Sequence, residues 1–433
     1  MNYKESISYL ENISAPIHLG LENIMKLLDK LSNPQNQLKV IHLAGTNGKG
    51  SVSNILKSIL MEANYNVGLY NSPSILSYRE TISINSKIIS KDDFAYATTK
   101  ISKYCNELLD EGHPQPTIFE CTTALALDFF ASNNVDIAII EVGLGGILDA
   151  TNVFTTPLVS VITSIGFDHT EYLGNSLKEI ASAKAGIIKK EIPVVIAPND
   201  EDILEVIMNI SSSLNAPLYY NAPTDIVTII HNSTLQGINF SMSTPYFTYS
   251  NLFTTLIGAH QLTNISVALM TIYVLTKHYN YMIPAPAVTN GLHKTYWSCR
   301  CEYIETPIKM IIDGAHNESS MESFTHVLSA HCTSIPITFL FGVLKDKEVS
   351  IMLKKMALFS NTIFITAPLS TRSLPLPELT SIAKEHFENV YPIDELYEAY
   401  QEAVNYAKKT NTLLCCVGSL YLSIPFRDWL RSK

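Results

Sequence analysis

The chain predicts an α/β protein of two domains, the first on a mostly parallel sheet with a small antiparallel insertion, the second a further α/β series. Three observations carry this. Short apolar runs alternate with helix-like stretches, the pattern of strands covered by helices on both faces. The run Ile41-His42-Leu43-Ala44 passes straight into Gly45-Thr46-Asn47-Gly48-Lys49-Gly50-Ser51, a strand feeding a glycine-rich loop and then a helix-like segment. Finally, 433 residues at 46% hydrophobic content exceed one ordinary core, and 16% charged content is too low for disorder.

In chain order, Val40 to Ala44 predicts the first strand and Ser53 to Met61 a helix. Val135 to Val142 reads as a buried strand with Glu141 at its C-terminal end. Leu158 to Ile165 is another, ending in Gly166-Phe167-Asp168-His169. Leu177 to Ile187 is helix-like, and Pro193 to Ala197 is a further strand. From Ile226 to Ile257, short runs rich in Thr, Tyr and Phe suggest the antiparallel insertion. Gly258 to His278 predicts a helix carrying His260, Gln261 and Asn264. The second series begins near Arg300, with strands at Lys309 to Ile312, Ile337 to Gly342, Thr362 to Ala367 and Leu413 to Val417. The boundary is expected between Gly291 and Cys299.

Bulk properties exclude several classes. A net charge of −10 repels a phosphate backbone and argues against a nucleic-acid partner. The N-terminal MNYKESISYLENI carries acidic residues and no apolar core, unlike a signal peptide, and no apolar run is long enough for a membrane span. The seven cysteines are scattered without a CxxC pair, which predicts reduced thiols and a cytoplasmic setting. Cys299 and Cys301, flanking Arg300, make a poor zinc pair.

The glycine loop at 45–51 predicts a nucleotide triphosphate site. Its backbone N–H groups can close around a phosphate, the following helix adds its positive dipole end, and Lys49 adds a full charge. Gly50 intervenes between Lys49 and Ser51, where the common pattern has Ser or Thr directly after Lys. Ligands of parallel sheets bind beyond the C-terminal ends of strands, where this loop, Glu141 and Asp168-His169 all fall. Glu141 suits Mg²⁺ near phosphates, or equally a helix cap or surface acid. His169 reads as a metal ligand, a base or a loop histidine, with Asp168 able to orient it. Lys184 reads as a surface lysine or, among small apolar neighbours, as a buried amine of lowered pKa. Asp313 and His316 suit catalysis, a polar substrate or a plain capping turn.

Together the segments GTNGKGS (45–51), EVGLGG and DATN (141–152), SIGFDHTEYLG (164–174), KAGIIK (184–189), GAHQ and Asn264, DGAHN (313–317) and VGSLY (417–421) decide more. With Gly20-Leu21-Glu22 and Asn33-Pro34-Gln35 they cover nearly the whole chain. The set resembles the folylpolyglutamate synthase and dihydrofolate synthase family, within the Mur ligase group of ATP-dependent amide ligases. Gly50 is this family's usual form.

The resemblance implies an N-terminal P-loop ATPase domain at 1–295 and a C-terminal Rossmann-like glutamate-ligase domain at 296–433. It implies that Asn47, Gly48, Lys49, Gly50 and Ser51 bind the ATP phosphates, with Asn264, Arg300 and Asp313 also contacting ATP. Ser72, Glu141 and His169 would hold Mg²⁺ at two sites, with Lys184 carbamylated beside them. A monovalent cation belongs to the same expectation. Lys49, Lys184 and His316 would be catalytic. Thr117, Ile118, Phe119, Glu120 and Leu148 would lie near the pterin substrate, and His316 and Ser419 near the incoming glutamate. The implied reaction activates a dihydropteroate or tetrahydrofolate carboxylate as an acyl phosphate, which L-glutamate's amine attacks. A cytoplasmic monomer is implied as well. The chain departs from the family at Ser74 (usually His), Ile147 (usually Arg), Ala183 (usually Glu) and Ser298-Cys299 (usually Pro-Gly). Two rival readings stand beside the folate ligase: a Mur-type ligase with another acyl acceptor, and a nucleotide-binding protein without ligase activity.

Overall fold

The computed structural model describes residues 1–15 and 20–433. The chain forms two compact units, one of 1–229, 241–252 and 263–294, the other of 230–240, 253–262 and 295–433. Each unit therefore draws on several segments.

In the first unit, β1 (Val40–Ala44), β2 (Val67–Tyr70), β3 (Ile82–Ile84), β4 (Lys87–Ile88), β5 (Ile137–Glu141), β6 (Val159–Ile162), β7 (Val194–Ile196) and β8 (Leu218–Tyr220) make one sheet in the order β4-β3-β2-β5-β1-β6-β7-β8. From β2 to β8 along that order every pair is parallel, and β3 and β4 add an antiparallel edge. All residues of β1 are buried, as its mostly apolar run requires of a central strand with helices on both faces. One core joins Ile24, Leu27, Phe94 and Phe130 to Val40, Tyr70 and Ile140. Another joins Ala181, Ala185, Ile203 and Ile207 to Ala44, Ile162 and Ile196.

The predicted insertion is β9 (Val227–Thr234), β10 (Gly237–Ser243) and β11 (Thr248–Thr254), a separate sheet in the order β11-β10-β9. Connections this short join only antiparallel neighbours. The second unit carries β12 (Glu302–Ile304), β13 (Met310–Ile312), β14 (Ile337–Phe341), β15 (Thr362–Ile365), β16 (Asn389–Pro392) and β17 (Leu413–Val417), in the order β12-β13-β17-β14-β15-β16. All neighbours are parallel except β12, which runs against β13.

The structure adds strands that periodicity does not announce. Gly68 interrupts the apolar run of β2, and the residues of β16 are mostly exposed. The first helix after the glycine loop is Lys49–Glu62, starting four residues before Ser53, because the chain turns at Gly48 with φ +89°. Lys49 thus sits in the first helical turn. Among the described residues, no helix is long and apolar enough to cross a membrane.

This helix packs tightly on Ala285–Lys294. A Cβ on Gly291 would come within 2.6 Å of Ile59 Cα, and Ser58 Oγ donates to Gly291 O at 2.8 Å. Backbone cannot give way as a flexible side chain can. Gly291→Val is therefore expected to cost about 1–3 kcal/mol through overpacking, read as a lowered urea midpoint with an unchanged slope.

Candidate active site

The glycine loop is placed by the strands on either side. Gly45 follows β1 with φ +151°, and a Cβ there would fall 1.9 Å from Thr163 Oγ1, so no other residue fits. Thr46 and Asn47 donate their N–H groups to Ser164 O at 2.9 and 3.1 Å. Thr46 Oγ1 donates to Gly166 O at 3.0 Å and accepts from Gly166 N at 3.1 Å. This ties the glycine loop to the loop that carries Asp168 and His169. Gly48 lies against Asn264, whose Oδ1 would be 2.3 Å from an added Cβ. Two residues 216 positions apart, both expected to bind nucleotide, are therefore neighbours.

Two ammonium groups meet on one oxygen. Lys49 Nζ donates to Gly45 O at 2.8 Å, with a longer bond to Thr46 O at 3.3 Å. Lys184 Nζ donates to the same Gly45 O at 2.9 Å. Lys184 is buried near the end of the Leu177–Ala185 helix, while Lys49 is half-buried. Burial pushes the Lys184 pKa down to about 7, and the Lys49 charge adds to that shift against the opposing pull of Asp168 and Asp149. Of the sequence alternatives for Lys184, the structure selects the buried amine.

The pocket around these lysines is lined by Gly45, Thr46, Lys49, Val142, Gly143, Leu144, Gly145, Asp168, His169 and Lys184. Glu141 is buried at the end of β5, one residue before that lining begins. His169 has φ +51°, takes its own backbone N–H to Asp168 Oδ1 at 3.0 Å and places Nε2 3.8 Å from Asp168 Oδ2. Ser72 lies in the loop after β2, joined to Pro73 by a cis peptide. Among the described residues no group of three His, Cys, Asp or Glu side chains is poised to hold a metal.

The segment expected near the acyl substrate carries local capping bonds. Thr117 caps the Ile118–Ser132 helix, and the Glu120 carboxylate accepts from Thr117 N at 2.7 Å and Thr117 Oγ1 at 2.8 Å. Phe119 lies against Gly143, 2.5 Å from where a Cβ would stand. Leu148 and its neighbour Ile147 are about half exposed.

Sequence reasoning missed what fixes the 143–149 loop. Asp149 is buried; its Oδ2 accepts from Leu144 N at 2.8 Å and its Oδ1 from Thr151 Oγ1 at 2.6 Å. Thr151 Oγ1 also meets His42 Nε2 at 2.9 Å. Thr151 gives its one proton to Asp149, so His42 must donate through Nε2–H. Burial holds this histidine neutral, at about 3. The signal was His42, a polar residue inside an otherwise apolar strand.

In the second unit, Asp313 is buried just beyond β13. Its carboxylate accepts from Cys301 N and Ala315 N, both at 2.6 Å. Burial raises its pKa, opposed by the Arg300 charge and these N–H bonds. His316 Nδ1 lies 2.8 Å from Gly314 O. The capping residue of the next helix is Asn317, not His316. Ser419 is buried and caps the last helix, accepting from Tyr421 N at 3.1 Å.

Residues 43–272 match the Mur ligase middle domain and residues 299–425 the C-terminal domain of dihydrofolate synthetase. The chain belongs to the folylpolyglutamate synthase and dihydrofolate synthase family of Mur ligases. It is 32% identical to the dihydrofolate synthase/folylpolyglutamate synthase of Bacillus subtilis, over 99% of each chain. It also superimposes on the Mycobacterium tuberculosis folylpolyglutamate synthase complexed with ADP and AMPPCP, at TM-score 0.91 and 27% identity, covering 100% and 99% of the two chains. A folylpolyglutamate synthase–AMPPCP–folate complex aligns at TM-score 0.85 and 30% identity, covering 99% and 100%. As a member of this family the chain is a ligase enzyme.

The Lys184 shift has a measurable sign. Its pKa falls from 10.5 to about 7 on folding, so between those values the unfolded chain binds more protons and native stability rises with pH. Lys184→Met, which removes the buried amine, is expected to be more stable than wild type below about pH 7, with the gain shrinking toward pH 10.5. Urea unfolding of both proteins in CO₂-free buffer at low and high pH checks this; a gain independent of pH contradicts it.

Proposed function

We propose that this ligase uses ATP to join L-glutamate to the carboxylate of a folate or pteroate through an acyl phosphate. The observation carrying the proposal is the shared Gly45 carbonyl, which sets one charged lysine and one titrating lysine at the phosphate-binding loop of a Mur ligase chain.

A carboxylate does not condense with an amine in neutral water, so it must first take the γ-phosphoryl group of ATP. Lys49 neutralises charge on the transferring group, with Asn47, Gly48, Gly50 and Ser51 offering backbone N–H groups and Asn264 flanking Gly48. Arg300 and Asp313 serve the nucleotide as well. The amine of L-glutamate, held by His316 and Ser419, attacks the acyl carbon, and the tetrahedral adduct expels phosphate. Thr117 to Glu120 and Leu148 border the pterin. The division of labour follows the 1–295 and 296–433 portions of the chain.

Glu141 and Ser72 would offer oxygen and His169 an imidazole to Mg²⁺, a cation that keeps phosphate oxygens and water in its shell. Bound there, Mg²⁺ would act as a Lewis acid on the phosphates. Two adjacent lysines repel cations, and carbamylation of Lys184 reverses one of those charges. The neutral Nζ adds to CO₂ and releases a proton, which the lowered pKa permits. We further place the enzyme in the cytoplasm as a monomer.

The direct assay is phosphate release from Mg-ATP and L-glutamate with dihydropteroate or tetrahydrofolate in parallel, with product masses. Pterin-dependent release and a gain of one glutamyl unit are expected. ATP binding without pterin-dependent turnover would favour a different acyl acceptor, with the surface at Ser74 and Ile147 as its place. Lys49→Ala is expected to lower kcat by at least about 10²-fold; near-normal ligation sinks its role. Lys184→Ala should lose most activity and regain part of it with added short carboxylic acids, whereas wild-type rates without acid would remove Lys184 from the machinery.

A further inference from the structure

The segment around Arg300 is held in an unusual backbone shape. Cys299 has φ +58° and Cys301 φ +46°, so two side-chain-bearing residues on either side of Arg300 adopt the left-handed region that L-residues avoid. Neither is glycine or asparagine, so the shape must be imposed from outside. Each N–H is gripped by a buried carboxylate. Cys301 N donates to Asp313 Oδ2 at 2.6 Å, and Cys299 N donates to Glu302 Oε2 at 3.1 Å.

Glu302 is itself fixed. Arg427 Nε donates to its Oε1 at 2.6 Å, Tyr296 Oη to the same oxygen at 2.5 Å, and Ser298 Oγ to Oε2 at 3.2 Å. Arg427 belongs to the C-terminal Leu420–Arg431 helix, so this carboxylate ties residues 296–302 to a packed element. The Asp313 grip fixes the far side of Arg300. On the near side Gly314 N donates to Cys299 O at 2.9 Å, and Glu302 is the side chain that holds the Cys299 N–H.

We propose that Glu302, clamped by Arg427, is a positioning residue that holds Cys299 in its left-handed conformation and thereby aims Arg300 at the nucleotide. This rests on the reading of Arg300 as a nucleotide contact.

Steady-state assays with MgATP, L-glutamate and the pterin acceptor would compare wild type with Arg300→Ala, Glu302→Gln, Cys299→Gly and the Glu302→Gln/Cys299→Gly double variant. Glutamine keeps the shape of Glu302 but loses its charge and one accepting oxygen. Glu302→Gln is expected to raise KM for MgATP about 5- to 30-fold, the factor matching the left-handed penalty of one L-residue, with KM for glutamate little changed. Cys299→Gly alone should behave as wild type. In the double variant glycine takes the conformation unaided, so KM for MgATP should return most of the way to wild type. A plain loss of packing at Glu302 would not be repaired by removing a side chain at Cys299. Normal KM for MgATP in Glu302→Gln, alongside a defect in Arg300→Ala, overturns the positioning role; so does a Glu302→Gln defect that Cys299→Gly leaves in place. A normal Arg300→Ala overturns the nucleotide role of Arg300 itself, a failure distinguishable from the others. Should Glu302→Gln not fold alone, KM of the folded double variant decides: near wild type supports the proposal, and a persistent defect overturns it.

Discussion

Two lysine ammoniums on one carbonyl oxygen set the terms for the first unit. Lys49 and Lys184 approach Gly45 O at 2.8 and 2.9 Å, a spacing at which two full charges repel strongly in a low-dielectric site. Burial decides which one yields. Lys184 is 5% exposed and its proton becomes labile near neutral pH, whereas Lys49 keeps contact with the open loop. A neutral amine still donates a hydrogen bond, so the geometry survives while the charge is lost. The arrangement exists only because β1 and β6 leave no room for a side chain at Gly45 and turn its carbonyl toward both lysines. A parallel sheet, a glycine and a helix end thus combine to set one buried amine of lowered pKa beside a second lysine.

Much of this was legible in the sequence because it is written in local chemistry. Largely apolar runs mark β1, β5, β6, β14 and β17, since strands buried on both faces tolerate few other residues. The glycine loop, Glu141 and Asp168 stand at or just past the ends of three of those runs, where ligands of such sheets bind. What stayed hidden is long-range or lacks periodicity. The partnership of Gly48 with Asn264 needs two distant segments to meet. The segments β2, β3, β4 and β16 are short, interrupted or exposed. The chain of bonds from His42 through Thr151 and Asp149 to Leu144 joins β1 to the loop after β5, and only a lone histidine in a buried strand hinted at it. Capping at Thr117, Glu120 and Ser419 shows the converse, because side chains singled out for substrate also do local structural work.

The second unit meets a related problem by different means. At Cys299 the chain reaches the left-handed backbone region by holding the N–H of an ordinary residue with a buried acid. The cost of the conformation moves from the residue to its surroundings, and Arg427 and Tyr296 become part of what keeps Arg300 in place. Buried carboxylates gripping successive N–H groups make a stiff support, since each loses solvation and regains it only through those bonds.

The same logic separates the 143–149 loop's exposed surface from the lysine site it rests against. Residues 143–149 are held through their main chain. Ile147 N donates to Ala183 O at 2.9 Å, and Asn152 Nδ2 donates to both Ile147 O at 3.0 Å and Gly186 O at 3.1 Å. Gly146 and Gly186 let backbones touch, a Cβ on either falling within 2.8 Å of neighbouring main-chain atoms. None of these bonds uses the Ile147 side chain, which stands half exposed. An arginine or an isoleucine there presents a different surface on an unchanged loop, and Lys184, on the helix that loop rests against, keeps its place. The side chain at Ile147 can therefore change without disturbing the buried amine of Lys184.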